Sequence, residues 1–266
     1  MKLDCILTAC NTNELYLDFI PIFIKSWTKL YPNVDVKIVL IMDMVDMVDM
    51  VDINTYTIPQ KFEQYKDNII LFKPIPNIST AFISQYIRLL YPCILNKYEN
   101  GIMITDMDMI PMNRTYYTKN IENIDDNKFI YLRDVCLNDY KQIAMCYNVG
   151  LSSTWSSIFN IKTIEDIHQR LIDVYKTINY VDGHGQSGWG TDQIDFYNYV
   201  MNWNKQTHNF VILNDRNTGY NRLDRNTFVL NTHTQHLIKN GYYSDYHCYR
   251  PYHKYKDIND RIVELL

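Results

Sequence analysis

No stretch of this 266-residue chain carries the surplus of Lys and Arg that a nucleic-acid footprint needs; 26 basic side chains face 30 acidic ones, for a net charge of −4. No apolar run approaches the roughly 20 residues of a membrane span. The start, Met1-Lys2-Leu3-Asp4-Cys5-Ile6, lacks the apolar stretch of a signal peptide. These absences give the expectation of a cytoplasmic protein with no transmembrane segment and no nucleic-acid partner. Cys5, Cys10, Cys93, Cys136, Cys146 and Cys248 show no CxxC or paired spacing, which argues against a zinc cluster or disulfide framework and for a reducing compartment. Glycine is sparse. Four of the eight fall between Asp182 and Gly190, and none forms the fingerprint of a dinucleotide-dependent dehydrogenase.

What is present suits one α/β domain. Apolar residues make up 47% and charged residues 21%, enough to bury a core and too little charge for a disordered chain. Leu3 to Ala9 reads as a buried strand. Tyr16, Phe19, Ile20, Phe23, Ile24, Trp27 and Leu30 then recur at the 3–4 spacing of one helical face, which Pro32 ends. Val34 to Ile41 and Asn68 to Phe72 read as strands two and three, so a parallel sheet is expected. Ser79 caps a helix running to about Asn96, with Pro92 kinking it. Ile102 to Thr105, Phe129 to Leu132, Ala144 to Leu151, Phe210 to Leu213 and Phe228 to Asn231 are further strand candidates. Thr163 and Thr191 read as caps of two more helices, and the last ten residues as a terminal helix. The Met-Val-Asp repeat of Met42 to Asp52 reads as a solvated loop, since charge runs are usually solvated.

Three segments carry chemistry. Asp106-Met107-Asp108 follows the apolar run Ile102-Met103-Ile104, and strand ends of open α/β sheets are where ligands bind. Carboxylates two residues apart share one side of an extended chain and can hold a hard divalent cation that also takes diphosphate oxygens. By composition alone the same residues could be an acidic turn. Gly188-Trp189-Gly190-Thr191-Asp192-Gln193 combines backbone freedom, an apolar ring face for a sugar, and an acid that a helix start keeps ionised; Asp192 could equally be only a cap. His233, after a short strand candidate, is the imidazole best placed to join the two aspartates, with His236 as fallback; His184, His247 and His253 lack comparable context. Tyr147 and Trp155 could stack on a sugar, although core packing is the plainer role for each.

Ser84-Gln85-Tyr86-Ile87-Arg88-Leu89-Leu90-Tyr91-Pro92 followed by Ile104-Thr105-Asp106-Met107-Asp108 resembles the centre of GT-A-fold glycosyltransferases, especially the glycogenin-like ones. The resemblance implies a single GT-A-like, Rossmann-related domain over 1–266, with a mixed, mostly parallel central sheet flanked by helices. Residues 1–110 would form the nucleotide-binding half and 111–266 the acceptor-binding half. It implies that Thr8, Ala9, Cys10, Asn11, Arg88, Asp106 and Met107 bind the nucleotide. It further implies that Asp106, Asp108 and His233 hold Mn2+ or Mg2+, and that Asn148, Gly150, Trp189 and Gly190 meet sugar or acceptor. Asp192 and Gln193 would flank the reacting centre.

The expected activity is hexosyl or deoxyhexosyl transfer from a nucleoside diphosphate sugar, UDP-sugar by resemblance, to a hydroxyl of a glycan or glycoprotein. The Asp192-Gln193 pair favours retention, whereas Asp192 acting as a base would give inversion. Two alternatives stay open: a non-catalytic carbohydrate-binding protein of the same fold, and a phosphohydrolase with Asp106 as nucleophile and Asp108 as acid.

Overall fold

The computed structural model describes residues 1–42 and 57–266, so the Met42 to Asp52 repeat lies, beyond Met42, outside the described residues. Among the described residues, ten strands form two sheets. They are β1 (Leu3–Asn11), β2 (Asp35–Ile41), β3 (Ile69–Phe72), β4 (Gly101–Ile104), β5 (Met109–Pro111), β6 (Phe129–Tyr131), β7 (Asn148–Gly150), β8 (Phe210–Ile212), β9 (Arg222–Asp224) and β10 (Asp245–His247). The longer helices are α1 (Ile20–Leu30), α2 (Thr80–Leu90), α5 (Ser152–Phe159), α6 (Ile164–Thr177), α7 (Thr191–Thr207), α9 (Thr232–Lys239) and α10 (Lys256–Glu264). Single turns α3 (Tyr116–Lys119), α4 (Leu137–Tyr140) and α8 (Asp215–Thr218) lie between them.

The large sheet has the order β3-β2-β1-β4-β7-β6-β8. All its pairings are parallel except the two made by β7. This is the mixed, mostly parallel sheet flanked by helices that the resemblance implies, and not the wholly parallel one that the order of elements suggests. Its strands alternate faces with period two. Leu7, Val39, Ile41, Ile102 and Ile104 pack with Ile83 and Ile87 of α2, Trp155 of α5 and Phe196 of α7. Ile6, Ile38, Leu40 and Met103 pack on the opposite side with Phe23 and Trp27 of α1, Tyr246 of β10 and Ile262 of α10. Burial on both faces explains why β1 and β2 read as continuous apolar runs. Each large side chain sealed there contributes roughly 1.5–3 kcal/mol. Gly150 is a packing position: a Cβ there would come within 2.9 Å of the Phe129 ring.

The small sheet, β5-β10-β9, pairs β10 antiparallel to β5 and parallel to β9. None of its three strands, β5, β9 and β10, has a counterpart among the sequence-based strands, and Phe228 to Asn231 is coil rather than strand. Pro92 sits in a 3-10 turn, Tyr91–Ile94, that ends α2 at Leu90 rather than near Asn96, because a proline cannot continue the hydrogen-bond ladder. Ser79 does cap α2, its Oγ accepting from the amides of Ala81 and Phe82. Thr163 closes a reciprocal capping box with Asp166. At α7 the cap position is Gly190, and Thr191 is already the first helical residue. No helix among the described residues is long and apolar enough to cross a membrane.

Candidate active site

The parallel strands send their C-terminal ends to one edge. Asn11 ends β1, Asp106 and Asp108 follow β4, and Arg133 follows β6. Because β7 runs against β4, its first residue, Asn148, lies opposite Ile104 and so at the same edge. Arg88 reaches this edge from the last turn of α2, and Asp192 from the first turn of α7.

Arg88 joins the two motifs. Its Nη1 is paired with Asp106 Oδ1, its Nη2 lies 3.3 Å from Asp192 Oδ2, and its Nε donates to the Gln85 carbonyl at 3.2 Å. The guanidinium is sealed, which opposes its charge, yet Asp106 and Asp192 hold it protonated above its ordinary range. Asp192 is buried, and that burial pushes its carboxyl up to about 6 against the opposing pull of Arg88 and of the Gln193 amide, which donates to Oδ1 at 2.9 Å. At neutral pH Asp192 is therefore mostly ionised, but its proton is within easy reach.

Asp108 is built differently. Its side chain is 7% exposed against 29% for Asp106. Oδ2 takes Arg225 Nη1 at 3.0 Å, Arg250 Nε at 3.2 Å and His247 Nε2 at 3.4 Å. Burial raises this carboxyl, but the His247 hydrogen bond and the charges of Arg250, His247 and Arg225 outweigh it and hold it well below the usual carboxylate range. Pairing of β10 with β5 makes the contact, since the Cys248 amide donates to the Asp108 carbonyl at 2.9 Å and His247 stands opposite Met109. The other His247 nitrogen, Nδ1, lies 3.0 Å from Asp224 Oδ2. Arg250 also packs on the Tyr16 ring at 5.1 Å and is hydrogen-bonded to its hydroxyl.

Among the described residues, no three His, Cys, Asp or Glu side chains already close on one point as a metal cluster. The donor types nevertheless suit a hard cation. Asp108 and the Nε2 of His247 face each other, and Asp224 holds Nδ1, the arrangement by which a carboxylate fixes the ring orientation of a metal-binding imidazole. His233 is exposed in the first turn of α9 and makes no hydrogen bond or ion pair among the described residues. The histidine that reaches Asp108 is His247.

The remaining predicted residues divide. Thr8, Cys10 and Met107 are buried; the Thr8 hydroxyl has no hydrogen-bond partner among the described residues, and burial pushes the Cys10 thiol up to about 12. Ala9 is buried, and Asn11 donates to Thr80 Oγ1 at 3.1 Å. Asn148 is fully buried; its Nδ2 donates to the carbonyls of Ala144 and Met145 while its Oδ1 has no partner among the described residues. Trp189 is half-buried with its ring centroid 5.4 Å from that of His184, and Gly190 opens α7. The Gln193 carbonyl accepts from the Ile143 amide at 3.2 Å. Trp155 is core, its Nε1 donating to the Ile102 carbonyl, and Tyr147 is buried on Asp245. Sequence reasoning missed Arg225 and Arg250 and set His247 aside for lack of context. The one signal for them was the alternation in Asp245-Tyr246-His247, with an apolar residue between two polar ones, over a stretch too short to register.

No family model matches the chain, and no curated protein matches it in sequence. Among solved structures it is similar to the galactosyltransferase LgtC in complex with donor and acceptor sugar analogues, at 14% identity and a TM-score of 0.48, over 98% of this chain and 94% of the other. An active-site mutant of LgtC aligns with the same values. Mouse xyloside xylosyltransferase 1 in its apo form aligns at 9% identity and a TM-score of 0.41, over 93% of this chain and 98% of the other. At these scores the likeness says nothing of substrate or mechanism.

Proposed function

We propose that the chain is a glycosyltransferase that moves a hexosyl or deoxyhexosyl group from a nucleoside diphosphate sugar, with UDP as the favoured nucleotide, to a hydroxyl of a glycan or glycoprotein. One observation carries the reading. At the C-terminal edge of the sheet, Arg88 ties Asp106 to the buried acid Asp192, while Asp108 stands separately among Arg225, Arg250 and the His247 imidazole. That arrangement offers carboxylates for a cation and a third acid near the reacting sugar.

The ends of β1 and β4, with Thr8, Ala9, Cys10, Asn11 and Met107, would receive base and ribose in the 1–110 half. Asp106, Asp108 and His247, the last in place of His233, would hold Mn2+ or Mg2+. When bound, that cation supplies charge neutralisation for the departing diphosphate. Arg250 and Arg225 sit on Asp108 and add fixed positive charge where the diphosphate oxygens would lie. Asp192 and Gln193 would flank the donor sugar, with Asn148 buried at the same edge; the acid–amide pair favours retention. The 111–266 half, with Trp189, would receive the acceptor.

A panel of nucleotide sugars with Mn2+, scored by free diphosphate, tests the reading. Asp106→Asn is expected to cut turnover on the order of 100-fold to 1,000-fold, as loss of one electrostatic stabiliser does. Unchanged turnover in that variant would overturn it. Sugar binding without turnover from any donor would favour the carbohydrate-binding alternative.

A further inference from the structure

Beside the Asp106–Asp108 centre lies a second ionic cluster that the proposed reaction does not use. Asp245 is fully buried and accepts from Tyr147 Oη at 2.5 Å, Tyr220 Oη at 2.9 Å and Arg222 Nη2 at 2.7 Å. Arg133 is paired with Asp215 through Nε and Nη2, the latter at 3.1 Å, and its guanidinium lies 3.9 Å over the Tyr220 ring. Arg222 flanks the same ring at 5.6 Å. Two guanidiniums are thus gathered on one tyrosine.

Their donors are only half used. In both arginines the acid takes the Nε–Nη2 edge, and Nη1 has no hydrogen-bond partner among the described residues. Neither Nη1 is sealed from solvent either. A buried ion pair serving only as a brace adds little stability, because desolvation offsets its attraction. Unpaired Nη1 ends on mostly buried forks, with side chains 11% and 21% exposed, are instead what a carboxylate or phosphate needs.

Position connects the cluster to the centre. Arg222 faces Asp245 across β9 and β10, and two residues further along the same strands Asp224 faces His247, which reaches Asp108. Residues i and i+2 share a face about 7 Å apart, on the scale of one pyranose ring. Cys146 lies between the two groups: its Sγ is 3.7 Å from Arg222 Nη2, and burial first, then the charge of Asp106, pushes its thiol up to about 11.

We propose that the Nη1 ends of Arg133 and Arg222 form a recognition subsite for a carboxylate or phosphate carried by the sugar substrate, one ring from the reacting centre. The proposal rests on the glycosyltransferase reading for its substrate, but not for its anion chemistry. The anion belongs to either the donor sugar or the acceptor, and the two sources separate by experiment.

The first arm needs no turnover. The protein is titrated with D-glucose, D-glucuronate and D-glucose 6-phosphate, reading the shift in Tm. The acidic sugars are expected to bind roughly tenfold more tightly than glucose, the scale of one charge-assisted hydrogen bond. Arg133→Gln should reduce that ratio to within about twofold. Arg222→Gln would strand the buried Asp245, so the second variant is Arg222→Lys, which keeps the charge and loses the planar fork; it too should lower the ratio. The second arm compares UDP-glucuronate with UDP-glucose, then glucuronate-bearing with neutral acceptors, and the preferred acid names the source. Equal handling of acidic and neutral sugars in the titration, or a preference that survives Arg133→Gln, overturns the subsite. Diphosphate release from no donor, with the binding ratio intact, sinks the transferase reading and spares the subsite.

Discussion

In the large sheet, Ile6, Leu7, Ile38, Val39, Ile102 and Met103 are all fully buried on one face or the other, and the helices cover both. In the small sheet Ile110, Leu223 and Tyr246 send one face into the core, and β5 adds the apolar Met109 and Pro111 to the other. The other face carries Arg222, Asp224, Asp245 and His247, each paired with another charged or ionisable group. One sheet is held by area removed from water, which has no preferred direction. The other is held by contacts that fail when a single partner is removed. Chemistry gathers where the two meet, at the edge where β4 leaves the first sheet and β5 enters the second.

The strongest way to break this contrast is to damage each sheet once. Asp108→Ala leaves Arg225 and Arg250 without their carboxylate and should cost about 3–5 kcal/mol, as removing one partner of a buried ion pair does. Trp155→Ala, which empties a core position of α5 packed against the large sheet, should cost about as much, roughly 3–5 kcal/mol. pH separates them. Asp108 is held below the ordinary carboxylate range in the folded state, so its contribution is complete above the unfolded value near 3.8 and is lost as pH falls through the folded one. The gap between the parent chain and Asp108→Ala should therefore close in acid, while the Trp155→Ala gap stays. Denaturant titrations at several pH values measure both. A gap for Asp108→Ala that ignores pH would mean its contacts are not ionic.

Asp192 sharpens the contrast with the opposite sign. Burial raises its carboxyl from 3.8 to about 6, so between those values the folded chain holds a proton that the unfolded chain releases. Stability should fall as pH rises through that window, by about 3 kcal/mol at about 1.4 kcal/mol per unit. Asp192→Asn cannot lose a proton and should flatten the slope between pH 4 and 6. A slope that persists in the variant would assign it to another group.

How much of this was legible follows from where the signal lies. The strands β1, β2 and β4 are apolar runs bounded by polar turns, and Ser79 and Thr163 cap through their own side chains, so local sequence suffices for them. Asp106 and Asp108 were visible as a pair, but not their opposite surroundings, one open and one sealed, because Asp108 meets partners 117 and 139–142 positions further along the chain only through the pairing of β5 with β10. Strands of three residues cannot show a period: β6, β7 and β8 are legible only because longer, mostly apolar runs contain them, whereas β5, β9 and β10 have no such run to mark them, and His247 goes unread with β10. His233 drew the metal assignment from a strand candidate that is coil in the structure.

The smallest effect tests how the site is tied to its helix. Ser79 Oγ accepts from the first amides of α2 and donates to Asp182 Oδ1 at 2.6 Å, which anchors the glycine-rich loop ahead of Asp192. Tyr180 reinforces the tie, donating to Gln85 at 3.0 Å. Ser79→Ala removes both the cap and the loop bond, whereas Asp182→Asn weakens only the second. A lost cap costs about 1 kcal/mol, and an exposed polar change usually stays within about 0.5 kcal/mol. Melting curves should therefore place Ser79→Ala clearly below the parent chain and Asp182→Asn close to it. If the two fall together, the loop rather than the cap holds this end of α2. In that case the position of Arg88, at the far end of the same helix, depends on the segment that delivers Asp192.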